Sequence, residues 1–253
     1  MGKRVKQGKG RAGGGAEGRD GIRLGLSACN ERLFFLLFRS GKTTFINRLL
    51  RYQNYMLNKP AQKIVYFYTE ISAQIKRISK IPLVEIVQNF NQDIIDDWSI
   101  DKGHLIVVVD DHMLENGVYG PLAELFSVKS RKKFISCALL TQNLYTKGVA
   151  NAARFSKEIL GNSTVTILFC NKRDQSLIRT FARSAFSGRF QFFLSAYRMA
   201  VCAEGKSSGS RNNGHKYLAI FSDAHTSNKF ELRTRIFFKN EVPELFWQRK
   251  WKF

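Results

Sequence analysis

Acidic residues are scarce in this chain of 253. Twenty Asp and Glu stand against 41 Lys and Arg, leaving a formal charge of +21. That imbalance turns the field of the whole molecule towards polyanions, so DNA, RNA or an acidic membrane surface are the natural partners. Close cysteine pairs are missing too. Cys29, Cys137, Cys170 and Cys202 are scattered, which argues against a disulfide framework or a zinc ribbon and fits a reducing compartment. Cys137 and Cys170 fall inside apolar strand-like runs and read as core. His104, His112, His215 and His225 lack ligand spacing, which argues against a metal site built from histidine. No apolar stretch approaches membrane-spanning length, and the run Leu33 to Phe38 is far too short. The basic N-terminus has no signal-peptide apolar core. Lys6 stands where a myristoylation signal needs Ser or Thr. There is no internal repeat.

What remains is enough for a large core. Apolar residues make up 44% and charged residues 24%, as in soluble globular proteins, and the length fits one α/β domain with small appendages. Residues 1–30 differ from the rest. Lys3, Arg4, Lys6, Lys9, Arg11 and Arg19 surround Gly13-Gly14-Gly15, the composition of a flexible basic tail. At the other end, 241–253 interleaves Trp247 and Trp251 with Arg249, Lys250 and Lys252, a pattern that stacks on bases or tacks a tail onto a domain. The folded domain is expected over 31–240.

Strands are expected at Leu33–Phe38, Lys63–Thr69, Leu105–Asp110, Phe134–Thr141 and Thr164–Cys170, with late strands at Tyr217–Phe221 and Phe230–Phe238. Helical periodicity runs from Lys42 to about Met56, and marks Asp93–Trp98, Leu122–Lys129, Asp174–Ala185 and Phe190–Ala203. Lys206–Gly214 reads as a loop. Strands alternating with helices predict a mainly parallel central sheet flanked by helices. Ligands of such sheets sit at the carboxyl ends of the strands.

Three motifs fall at such ends. Ser40-Gly41-Lys42-Thr43-Thr44 is the second half of a phosphate-binding loop. Lys42 is suited to β- and γ-phosphates, and Thr43 to magnesium. The N-terminus of the helix expected from Lys42 adds its dipole. Leu36 occupies the place of the first glycine, so Leu37, Phe38 and Arg39 would fill the loop interior. A bulky residue takes left-handed geometry poorly. The apolar run Leu105–Val109 ends in Asp110-Asp111. There a P-loop enzyme holds magnesium with its first acid and orients the attacking water with its second. Thr141-Gln142-Asn143 ends the next strand and offers Gln142 as a γ-phosphate sensor. Arg131, Lys132 and Lys133 precede that strand and could reach a neighbouring subunit's γ-phosphate, or form a solvated basic face. Asn171-Lys172-Arg173-Asp174 matches the guanine-reading motif of GTPases, yet no Asp-x-x-Gly element follows Asp110.

In order along the chain, the blocks Ser40–Ile46, Val107–Asp111, Leu140–Tyr145, Leu168–Asp174 and Leu232–Phe237 resemble the poxvirus-type genome-packaging ATPases of the FtsK–HerA superfamily. Within it they look most like the branch of adintoviruses and Maverick/Polinton elements. The resemblance implies a P-loop NTPase fold of RecA-like type and a ring-forming ATPase that uses ATP and Mg2+ to drive double-stranded DNA into a capsid. It implies an intracellular site of action, the host nucleus or a virus assembly site, with no membrane partner. It assigns Ser40, Gly41, Lys42, Thr43 and Thr44 to the nucleotide, and Thr43 and Asp110 to the metal. Asp111 and Gln142 would be catalytic, with Lys133 or Arg131 as finger, and Arg173-Asp174 belongs to a following motif. Two departures stand out. Lys172 replaces the family's usual proline, and the likeness stops upstream of Arg39, as if residues 1–38 were foreign to an intact body. An impaired nucleic-acid-binding P-loop protein and a GTPase are the alternatives.

Overall fold

The computed structural model describes residues 34–38, 41–57, 59–110, 119–141, 152–170, 175–202, 216–222, 226–227, 231–237 and 244–246. Among the described residues nine strands form one sheet: β1 (Phe34–Phe38), β2 (Lys63–Tyr68), β3 (Val84–Gln88), β4 (Leu105–Asp110), β5 (Ile135–Thr141), β6 (Val165–Phe169), β7 (Tyr217–Phe221), β8 (Leu232–Thr234) and β9 (Glu244–Phe246). Their order is β3-β2-β4-β5-β1-β6-β7-β8-β9. The six strands from β3 to β6 are parallel, and β7 to β9 continue antiparallel. Strands that bury both faces should read as continuous apolar runs. Fully buried β5 and β6 do so, as do the first five residues of β4.

The helices are α1 (Lys42–Arg51), α2 (Gln53–Met56), α3 (Ala73–Ile78), α4 (Asp93–Asp96), α5 (Tyr119–Glu124), α6 (Ser130–Lys133), α7 (Ala152–Asn162), α8 (Gln175–Ala185) and α9 (Phe190–Cys202). A π-helical turn, Leu125–Lys129, joins α5 to α6. The sheet separates two cores. On one face Phe45, Ile46, Leu49, Ile75 and Ile78 of α1 and α3 cover Ile64, Tyr66, Ile106 and Val108. On the other, residues of α4, α5 and α7 to α9 cover Val65, Phe67, Val107 and Val109. Odd and even strand positions therefore serve different helical layers, as the two-residue side-chain period requires.

The expected elements are present, with shifted ends. The helix predicted from Lys42 to Met56 is interrupted at Tyr52, whose N–H is shared between the carbonyls of Arg48 and Leu49. The break lets Gln53 turn inward, where its side-chain oxygen accepts the N–H of Ala61. The strand predicted from Phe134 begins at Ile135, because Phe134 is left-handed (φ 54°) at the end of α6. Its ring lies tilted against His104 with centroids 4.8 Å apart. Strand β3 and helices α3 and α7 lie outside the elements expected from the sequence. Strand β9 lies within the segment read as a tail and pairs with β8.

Candidate nucleotide site

The carboxyl edge of the parallel sheet carries the described ends of three expected motifs, Gly41-Lys42-Thr43, Asp110 and Thr141. β1 lies between β5 and β6, with Phe38 level with Thr141. β5 in turn lies beside β4, with Leu140 level with Asp110. The three strand ends are thus flush, and β1 stands two strand spacings, about 10 Å, from β4. Lys42 opens α1 just beyond this edge.

Gly41 precedes the helix at φ 106°, a backbone that suits glycine and disfavours any side chain with a Cβ. It aims the first turn of α1, which carries no acidic residue, so no carboxylate of that turn competes with an anion for its N–H groups. Lys42 is 8% exposed. Thr43 is half-buried and Thr44 exposed.

Leu36 requires a correction to the loop expected from the sequence. Leu36, Leu37 and Phe38 are strand residues, and Leu36 sits between Leu139 and Thr166. The backbone at Leu36 is extended, so the steric objection to a bulky residue in a left-handed turn does not arise. The consequence is a short connection: only residues 39–41 separate β1 from Lys42. Fewer backbone N–H groups are available to surround a phosphate than in the full eight-residue motif.

Asp110 is half-buried at the end of β4. The hydroxyl of fully buried Tyr66 donates to its Oδ2 at 2.5 Å. Tyr66 lies opposite Val108 in the β2–β4 pair, so it reaches diagonally to the next residue on the same face. Sequence reasoning missed Tyr66, because the tyrosine in Lys63–Thr69 gains meaning only once β2 is known to neighbour β4. The Thr43 hydroxyl and the Asp110 carboxylate are hard oxygen donors, the type that magnesium selects, and the buried Lys42 ammonium suits polyphosphate. The residues present therefore fit Mg2+ and ATP. Among the described residues no cluster of three His, Cys, Asp or Glu could hold a metal alone. His104 is committed elsewhere: its Nδ1 faces the Lys59 carbonyl at 3.0 Å and its Nε2 the Ser136 hydroxyl at 2.8 Å. A carbonyl can only accept, so Nδ1 carries the proton and Nε2 accepts from Ser136. Cys137 is core as expected, and burial pushes its thiol pKa up.

Ser40, Asp111, Gln142, Arg173 and Asp174 lie outside the described residues. Arg131 and Lys133 precede β5 and therefore sit at the opposite, amino-terminal edge. The Lys133 ammonium donates to the carbonyls of Ile95 and Asp96 at the end of α4. The Asp96 carboxyl is held below its ordinary pKa by the hydrogen bond from Lys129, at 2.6 Å. Arg131 is exposed.

Tyr66→Phe removes the donor from Asp110 and keeps the ring. A hydrogen bond to a charged partner is worth about 1.5–3 kcal/mol, so the unfolding free energy should fall by roughly that amount at neutral pH. In acid, where Asp110 is protonated, the difference should shrink. Urea titrations at two pH values check this, and equal losses at both would remove the carboxylate from the account.

No protein-family model matches the sequence, and no curated protein matches it. Among solved structures the chain is similar to the DNA-packaging ATPase B204 of Sulfolobus turreted icosahedral virus, at 9% identity and a TM-score of 0.48. That match covers 78% of this chain and 95% of the other. It is also similar to the genome-packaging NTPase B204 of Sulfolobus turreted icosahedral virus 2 in complex with ATP-γS. Identity there is 10% and the TM-score 0.45, over 81% of this chain and 97% of that one. A third similarity is to the cytoplasmic domain of the type VII secretion ATPase EccC of Thermomonospora curvata, at 11% identity and a TM-score of 0.44. It covers 88% of this chain and 24% of that one. The fold is a mainly parallel sheet between helical layers, with the helix after β1 opening on Gly41-Lys42-Thr43. No described helix is long and apolar enough to cross a membrane.

Proposed function

We propose that this chain is an ATP-hydrolysing motor subunit that moves double-stranded DNA. In its fullest form the reading is a genome-packaging ATPase of the FtsK–HerA type, viral or transposon-borne. It would work as a homo-oligomeric ring with capsid proteins as partners, in the host nucleus or at a virus assembly site. One observation carries it: β5 is inserted between β1 and β4 with all three ends flush. In this reading Gln142, which follows Thr141, stands between the phosphate-binding lysine and the acidic pair, as a γ-phosphate sensor requires. The strand order is that of RecA-like ATPases, and it favours ATP hydrolysis over the GTPase reading of Asn171–Asp174.

In this reading Lys42 holds the β- and γ-phosphates, and Thr43 and Asp110 hold magnesium, which neutralises charge on the transferring phosphoryl group. Ser40, Gly41 and Thr44 complete the cradle. Tyr66 fixes the rotamer of Asp110. Asp111 orients the attacking water, and Gln142 senses the γ-phosphate. Lys133 is occupied by backbone carbonyls, so Arg131 is the better-placed cation to reach a neighbour's nucleotide. Arg173 and Asp174 complete the motif after β6.

The test is magnesium-dependent ATP hydrolysis with and without double-stranded DNA, for the chain and for Asp111→Asn. DNA-stimulated turnover that disappears in the variant supports a motor. Turnover unchanged in Asp111→Asn would remove the acidic pair from the mechanism. The three-residue connection before Lys42 favours a second reading, a DNA-binding protein with an impaired nucleotide site. Folded protein that binds DNA but neither ATP nor its analogues would establish that one.

A further inference from the structure

Acidic residues are nearly missing from one stretch of this chain. Between Lys42 and Val84 there are eight lysines and arginines, and Glu70 is the one acidic residue. This stretch supplies α1, α2 and α3, which lie together on one face of the sheet. Where α1 ends and the chain leaves α3, Arg51, Tyr52, Lys80, Ile81 and Pro82 line an open cleft of about 350 Å³. Arg51 and Lys80 are exposed, as are Lys76 and Arg77 beside them. Among the described residues none of these four makes an ion pair; the Arg51 side chain bonds only to Asn47, one turn back on its own helix. Lys63, in the same stretch, is by contrast paired with Glu85 at 2.6 Å.

The cleft walls are firm. Ile81 is buried under the α1–α3 layer. The Tyr52 ring leans on Phe237 with centroids 6.5 Å apart. Leu83, just past the cleft, is exposed and holds φ 68°. That left-handed backbone is uphill for a branched side chain and persists only where the surroundings impose it. A fixed concave site with two unpaired cations and a phenol rim matches a phosphodiester backbone.

We infer that the Arg51–Lys80 cleft, flanked by Lys76 and Arg77, is a contact surface for the phosphates of double-stranded DNA. This deepens the motor reading by naming where the chain grips its polymer, and it rests on that reading for the choice of duplex DNA. The cleft lies at the far end of α1 from Lys42, nine residues or about 14 Å along one helix. A single rigid element therefore joins the nucleotide end of the molecule to the DNA-contact end.

The experiment compares the chain, Arg51→Glu/Lys80→Glu, and Arg179→Glu/Arg198→Glu, which makes the same charge change on exposed positions of α8 and α9. Binding to a labelled 30-base-pair duplex is followed by anisotropy from low to moderate salt. Binding of a fluorescent ATP analogue is read on the same samples. Each phosphate contact contributes about 0.9 to the slope of log K against log salt, so the cleft variant should lose roughly 2 from that slope. Its affinity should drop at least tenfold below that of the α8–α9 variant. ATP-analogue binding should be unchanged. Equal losses in the two variants would overturn the cleft and leave only a diffuse field. Loss of analogue binding in the unsubstituted chain would count against the ATPase reading while leaving the cleft comparison intact.

Discussion

Lys42→Ala will abolish nucleotide-dependent activity. Magnesium-dependent ATP turnover should fall by at least a hundredfold, the scale for deleting one preorganised stabiliser of transition-state charge. Binding of a non-hydrolysable ATP analogue should weaken in parallel, because the same ammonium meets the ground-state phosphates. The structure makes the effect large for a specific reason. The Lys42 side chain is almost entirely withdrawn from water, so its charge acts at low dielectric on whatever anion occupies the first turn of α1. The loop before it is three residues long, so fewer backbone N–H groups share the load than in a full phosphate loop. Lys42→Arg should not rescue, since a planar fork differs from a point charge in geometry. Filter binding and a coupled hydrolysis assay read both quantities. Turnover within threefold of the parent would show that the anion is held elsewhere.

Phe45→Ala will be the most destabilising single truncation in the α1 layer, by about 3–5 kcal/mol. Phe45 is 4% exposed and is the hub of an aromatic cluster. Its ring meets Tyr217 at 5.1 Å, Phe237 at 5.0 Å and Phe169 at 6.0 Å between centroids. The neighbours are fixed in turn: Tyr217 accepts the N–H of Ile236 on its hydroxyl, and its carbonyl accepts from Thr234. A cavity here cannot close by small shifts, and the residual volume adds to the lost transfer energy. Phe45 also stands three residues from Lys42 on the same helix, so the variant should weaken ATP-analogue binding even under conditions where it is folded. Urea unfolding with an unchanged slope measures the stability. A loss under about 1.5 kcal/mol would mean that the cluster repacks.

Much of the fold was legible in the sequence because buried parallel strands read as unbroken apolar runs, and Leu105–Asp110 and Tyr217–Phe221 were bounded to the residue. Strand β3, VEIVQ, was not, since its half-exposed pattern is too mixed to stand out. Helix α3 is six residues long and too short for periodicity to show. The break at Tyr52 depends on the inward hydrogen bond of Gln53 to Ala61, a partner eight residues away. The positions of Gly41-Lys42-Thr43 before α1 and of Asp110 at the end of β4 were legible because both follow apolar runs.

By itself the sequence determined the helical and strand periods, the alternation that makes the sheet mainly parallel, the excess of positive charge and the residue types able to hold phosphate and magnesium. Those are properties of neighbours along the chain. Tertiary structure decided which strand lies beside which, and that depends on burying two helical layers at once. It placed β5 between β1 and β4 and brought Tyr66 to Asp110 across 44 positions. It also set Arg51 opposite Lys80. None of these is encoded in local pattern, because each is fixed by packing between segments whose separation in sequence carries no information about their distance in space.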